Sequence, residues 1–111
     1  YIIFNLNPEP YFDCVFDNIN YKSEVYLNNV DQSDITLTDI QAYNDYQSTL
    51  LTPLVNNRNG NLRRRFRDWN AEIPRDGRNR IRGPWIKLKV QFNNQSNYKL
   101  ILHDMIISYT V

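Results

Sequence analysis

IKLKVQF (86–92) alternates apolar and polar residues without interruption. Successive side chains on a strand point to opposite faces, so this is the period of a strand with one face on a core and the other in water. Downstream, NNQSN (93–97) supplies turn residues, and YKLILHDMIISYTV (98–111) resumes with β-branched and aromatic residues on both faces. Together these segments predict a hairpin whose second strand is central in its sheet.

Upstream, residues 12–16 and 19–27 predict two further strands, broken near Asp17-Asn18, with Ile19, Tyr21, Ser23, Val25 and Leu27 sharing one face. NNVDQSD (28–34) reads as a polar loop, ITLTDIQAY (35–43) as a return to strand, and residues 56–60 as another polar loop. The stretch that follows is ambiguous. Leu62, Phe66, Trp69 and Ile73 recur at helical spacing, while Trp69, Ala71 and Ile73 alternate as a strand would. The β surroundings, the hairpin signal Asn59-Gly60 and the stop at Pro74 favour a strand, with a bulge near 65–67 that turns both Phe66 and Trp69 inward. Roughly six to eight strands with no βαβ rhythm and no internal repeat predict an all-β antiparallel β-sandwich, for which a jelly roll is one fitting topology.

A chain of 111 residues that is 41% hydrophobic and 14% aromatic is enough for one folded domain, 1–111, with an ordinary core. It opens on Tyr1 where a complete protein would open on Met, so it is expected to be a piece of a larger protein. Cys14 has no second cysteine to pair with and is expected to act as a small buried hydrophobe. No apolar run is long enough to span a bilayer and no leader is evident, so a soluble domain is expected.

The candidates for chemistry are few. His103 is the single histidine, and its neighbour Asp104 should lie on the opposite face of the strand, which argues against an acid–base dyad. A zinc site lacks ligands, VDQSD (30–34) lacks the glycine and distal glutamate of a calcium loop, and no glycine-rich phosphate loop occurs. The chain is therefore expected to be no enzyme and to carry no metal or cofactor.

Charge is the unusual feature. Residues 58–82, RNGNLRRRFRDWNAEIPRDGRNRIR, hold all nine arginines against three carboxylates, a net of +6, whereas the remainder sets four lysines against nine carboxylates, a net of −5. A basic stripe with an interleaved ring, as in Arg65-Phe66-Arg67-Asp68-Trp69, could track nucleic-acid phosphates. The acids scattered through it, the pI of about 8.0 and the core-like spacing of Phe66 and Trp69 weigh against that use. A merely solvated face would mix lysine with arginine. Guanidinium differs from ammonium in its rigid fork of donors, which grips carboxylates and carbonyls in pairs. Segregated arginine next to an acidic remainder therefore points to docking, within the domain or onto a neighbour.

The succession FDNINYKSEVY (16–26), NLRRRFRDWNAEIPRD (61–76), RIRGPWIKLKVQF (80–92) and LILHDMIISYTV (100–111) resembles the C-terminal region of a large virion structural protein of crAss-like Bacteroides phages, a family described as stabilisation or tail muzzle proteins. The resemblance implies a non-enzymatic component of the distal tail, made in the bacterial cytoplasm and located in the virion. Its implied partners are other copies of itself and neighbouring tail proteins, with genomic DNA passing through the lumen but not specifically bound. Arg63, Arg64, Arg65, Arg67, Arg75, Arg80 and Arg82 lie in the resembling motifs and are the expected docking residues, while Arg58 and Arg78 are expected to be solvated. Phe66, Trp69 and Trp85 are the expected core anchors. A carbohydrate-binding β-sandwich for host surface glycans is the alternative, since the chain is rich in tyrosine and asparagine.

Overall fold

The computed structural model describes residues 1–7, 13–32, 35–56, 60–65, 68–92 and 98–110. Their strands are β1 (Ile2–Leu6), β2 (Cys14–Leu27), β3 (Val30–Asp31), β4 (Asp39–Tyr43), β5 (Thr52–Pro53), β6 (Leu62–Arg65), β7 (Asp68–Glu72), β8 (Arg82–Gly83), β9 (Ile86–Gln91) and β10 (Lys99–Thr110). They form two antiparallel sheets, one ordered β1-β9-β4-β5 and the other β10-β2-β7-β6, with β3 and β8 attached to β2. The two sheets pack face to face as the expected all-β sandwich, and among the described residues there is no helix.

The period-two segment behaves as its pattern requires. Ile86, Leu88 and Val90 are buried while Lys87, Lys89 and Gln91 face outward, and β9 is central between β1 and β4. The second sheet is organised on β2. The break expected near Asp17-Asn18 is a β-bulge inside one continuous strand: Ser108 pairs with Asn18 and Tyr109 with Phe16, which leaves Asp17 as the extra residue. A bulge reverses which parity faces inward. Cys14 and Phe16 are thus buried before it, and Ile19, Tyr21 and Val25 after it.

Three expectations are corrected. The first is the hairpin across 93–97: β9 pairs with β1 and β4, while β10 pairs with β2 in the other sheet, so the chain crosses between sheets there. Nor is β10 central; among the described residues it stands at the end of its sheet, beside β2. A second bulge explains the misreading, because Leu102 pairs with Ser23 and Met105 with Tyr21. Inward positions therefore shift from Leu100 and Leu102 to Met105, Ile107 and Tyr109, which imitates a strand apolar on both sides. The second correction concerns 61–74, which is two strands and not one bulged strand. β6 and β7 pair antiparallel from Leu62↔Ala71 to Arg65↔Asp68, while Trp69, Ala71 and Ile73 are buried in the alternation expected before Pro74. The third lies in the expected loop 28–34, where Asn28 and Asn29 take φ of 51° and 66° and close a two-residue hairpin from β2 to β3. Left-handed values at both central positions make the turn type that asparagine tolerates best among non-glycine residues.

One polar chain crosses the core. The hydroxyls of Tyr21, Thr36 and Ser23 are linked at 3.0 and 2.8 Å, and Tyr21 is 1% exposed. Burial raises the Tyr21 pKa to about 12, partly opposed by the Thr36 hydrogen bond, so the phenol stays neutral well past pH 10. Because the folded value is the higher one, this group's contribution is complete below the unfolded pKa near 10 and is lost as pH rises through about 12. Tyr21→Phe should lower stability at neutral pH by about 1 kcal/mol, since Thr36 keeps Ser23 as a partner. Chemical denaturation at pH 7 and again between pH 10 and 12 checks this: the variant should lose less stability than the parent over the alkaline interval.

Candidate docking site

The arginines of the C-terminal half of the basic segment are built on a short hairpin. Asp76 and Asn79 exchange backbone hydrogen bonds at 2.9 and 3.0 Å around Gly77-Arg78. Gly77 takes φ 62°, in the left-handed region a side chain would resist, which allows the tight reversal. Beyond it, Ile81 is fully buried, and its carbonyl accepts from Phe16 N at 3.1 Å. With Ile81 turned inward, its neighbours Arg80 and Arg82 are turned out.

A turn from the other sheet holds this segment by its backbone. Asn44 Nδ2 donates to the Arg82 carbonyl at 2.9 Å, Gln47 Nε2 donates to the Arg80 carbonyl at 3.2 Å, and Arg82 N donates to Gln47 Oε1 at 2.8 Å. Asn44 is itself fixed, because its Oδ1 accepts from Tyr46 N and Gln47 N at 2.9 Å each. Gly83 completes the fit: a Cβ there would stand 3.0 Å from Asn44 Nδ2. The result is a groove of about 690 Å³ at one end of the sandwich, lined by Arg75, Arg78, Arg80, Arg82, Asp13 and Tyr46. Arg78 joins the three expected docking residues here, although its side chain is exposed.

Asp17, the bulge residue of β2, anchors the groove from behind. Arg80 Nη1 donates to Asp17 Oδ1, Thr110 Oγ1 donates to Asp17 Oδ2 at 3.3 Å, and the Asp17 carbonyl accepts from Ile73 N at 3.1 Å. The bulge thus aims one carboxylate at an arginine distant in sequence. The Arg80 side chain remains about half exposed, 48%, so its guanidinium keeps donors for a further acceptor.

Arg63 and Arg64 lie elsewhere, on β6 at the edge of the second sheet. Arg64 stands 5.5 Å from the centroid of the buried Trp69 ring, in cation–π geometry. Arg63 is opposite Asn70, whose amide donates to Asn20 Oδ1 at 2.8 Å. In the next row Lys22 and Asp68 approach to 3.9 Å, both half exposed. Arg63, Asn70, Asn20, Lys22 and Asp68 line a separate shallow concavity of about 770 Å³ on the outer face of the sheet, while Arg64 shares the inner face with Trp69. The structure therefore divides the expected docking set in two. Arg65 pairs through its backbone with Asp68, and Phe66 and Arg67 lie outside the described residues, as does Arg58.

Of the expected core anchors, Trp69 is 2% exposed and belongs to the core cluster. Trp85 is only half-buried and lies outside that cluster. The reason is parity: Ile86, Leu88 and Val90 take the inward positions, which leaves Trp85 on the side of Lys87, whose Nζ is 5.8 Å from the indole centroid. His103 Nε2 is 3.3 Å from Glu24 Oε2, and Cys14 is buried in the core. Among the described residues no three potential metal ligands gather, and no helix is long and apolar enough to cross a membrane.

The residues that sequence reasoning missed are Asp17, Asn44 and Gln47. Only Asp17 carried a signal, the polar interruption of the strand pattern at Asp17-Asn18.

Comparison with known proteins agrees with the motif resemblance. A muzzle protein of Bacteroides phage crAss001 is 32% identical over 113 aligned residues, covering 97% of this chain. The chain spans about 8% of that relative's length. The family model of the Crassvirus muzzle protein C-terminal domain matches residues 1–76, a span that includes the bulge carboxylate Asp17, the Asn44–Gln47 turn and the β6–β7 pair. On both grounds, the chain belongs to the Crassvirus muzzle protein C-terminal domain family.

Proposed function

We propose that this chain is a non-enzymatic structural domain of a phage virion, a single β-sandwich unit at the tail, and that it docks onto acidic surfaces of other tail-protein copies or neighbouring tail proteins through its arginines. The observation that carries this reading is the groove of Arg75, Arg78, Arg80 and Arg82, held by three side-chain bonds to the backbone of residues 80–82. Such clamping reduces the order that must be imposed when a partner binds, and preorganised guanidinium forks suit carboxylates and main-chain carbonyls. A nucleic-acid role is less well supported, because Asp13 lines the groove and Asp17, behind it, pairs with Arg80, so that its positive charge is interrupted.

Replacing Arg75 and Arg82 together by lysine keeps the charge and removes the fork. Both side chains are exposed, so the melting temperature should stay within about 3 °C of the parent. Incorporation into assembled particles, measured with the substitutions placed in the virion protein, should fall several-fold. Unchanged incorporation would remove the arginine fork from the docking mechanism.

A further inference from the structure

The two flanks of the sandwich differ. On one flank the sheets are stitched together where Val55 meets Leu62: Leu62 N donates to the Val55 carbonyl at 3.3 Å, and Val55 N donates to Asn61 Oδ1 at 2.7 Å. On the other flank lie the edges β1 and β10, each of which pairs on one side only among the described residues. The core is thin there. Leu100, Leu102, Met105, Ile107 and Tyr109 pack against it but are only partly buried, and on the outer face Ile106 is 65% exposed. Between Leu100 and Ile107 this edge holds no proline and, among the described residues, has a strand on the β2 side only; such an edge is a template for another strand unless something blunts it.

The side chains of β10 specify what could pair. Because of the bulge at His103-Asp104, the inward positions are 100, 102, 105, 107 and 109, with 101 and 106 outward. Suppose the strand is laid antiparallel against a copy of itself with a two-fold axis between His103 and Asp104. Leu102 then faces Met105, Leu100 faces Ile107, Ile101 faces Ile106, and His103 faces Asp104. Every apolar residue meets an apolar residue on the same face, and the polar centre meets its opposite. A strand without the bulge could not do this, since that axis would set odd positions against even ones and mismatch the faces. The bulge that turns the apolar set inward within one chain also makes the strand self-complementary.

We infer that β10 is a homotypic interface, at which two copies of this chain join edge to edge through antiparallel β10 strands and make one continuous sheet. The partner is a second copy of this chain, selected by the match of faces and of the His103–Asp104 centre. The inference does not depend on the arginine groove, which lies at the end of the sandwich and uses none of these residues.

Sedimentation equilibrium of the 111-residue chain tests it, together with cysteine cross-linking. The parent should show a concentration-dependent monomer–dimer equilibrium. Ile106→Lys sets a charge against Ile101 of the other copy at an exposed position, so it should raise the dimer dissociation constant at least about tenfold while the melt of the monomer is retained. In the double variant Ile101→Cys/Ile106→Cys, mild oxidation should give a disulfide-linked dimer. Neither single variant should cross-link, because each cysteine would then be about 17 Å from its own copy across the axis. A monomer at every concentration overturns the inference, as does an assembly larger than a dimer. So does a dimer unaffected by Ile106→Lys, or cross-linking as efficient in a single variant as in the double one. If Ile106→Lys does not fold, the cysteine series alone decides the register.

Discussion

Trp69→Ala should cost about 3 to 5 kcal/mol of folding stability, a large share of the roughly 5 to 15 kcal/mol that a domain of this kind possesses. Trp69 is 2% exposed on β7, with Tyr21 of β2 as its register partner on one side and Arg64 of β6 on the other. Truncation would remove the largest side chain of the second sheet's inner face and open a cavity between strands too regularly hydrogen-bonded to collapse into it. It would also take away the ring over which the Arg64 guanidinium stands at 5.5 Å. Urea unfolding followed by circular dichroism measures the loss, and a cost below about 1 kcal/mol would show that the ring is not a core anchor. Fluorescence gives a second readout. The chain has two tryptophans, and the variant would report only from the half-buried Trp85, so the emission change on unfolding should shrink.

The burial of Trp69 was legible because Trp69, Ala71 and Ile73 alternate, and alternation fixes a face. It does not fix a partner. That is why 86–92 was readable as a strand while its partners, β1 and β4, were not: the alternation is the same whether the chain turns back in one sheet or crosses to the other. Bulges hide in the same way. Residues 98–110 look apolar on both faces only when their period is counted straight through His103-Asp104, and one extra residue there returns Leu100, Leu102, Met105 and Ile107 to a single face. At Asp17 the polar interruption was visible, but a one-residue bulge and a break between strands leave the same mark. The arginines announced themselves through segregation from lysine. Their division into two places did not, since it depends on which strand each neighbour pairs with. The clamp residues Asn44 and Gln47 left no signal, because they act on backbone atoms that lie 33 to 38 residues away in sequence.

Stability and docking meet at Ile81. Its side chain is fully buried between Arg80 and Arg82, and its carbonyl takes a hydrogen bond from Phe16, so it is the peg that fixes the groove's floor to the core. Ile81→Ala should cost about 2 to 5 kcal/mol. The more informative effect concerns the arginines. A cavity beneath residue 81 would let the 80–82 backbone relax inward, lengthening the bonds that Asn44 and Gln47 make to it and drawing Arg80 away from Asp17. Incorporation into particles should therefore fall at temperatures well below the variant's own melting point. Ile81→Val, which removes one methyl and should cost about 0.5 to 1.5 kcal/mol, should incorporate nearly as well as the parent. If Ile81→Ala is destabilised as expected yet incorporates normally while folded, the groove's geometry is not what the partner reads. The Arg75 and Arg82 lysine pair then separates the remaining cases. Loss there with normal incorporation of Ile81→Ala would mean that the forks act from a pliable segment, whereas loss in both ties docking to arginines held in place by the core.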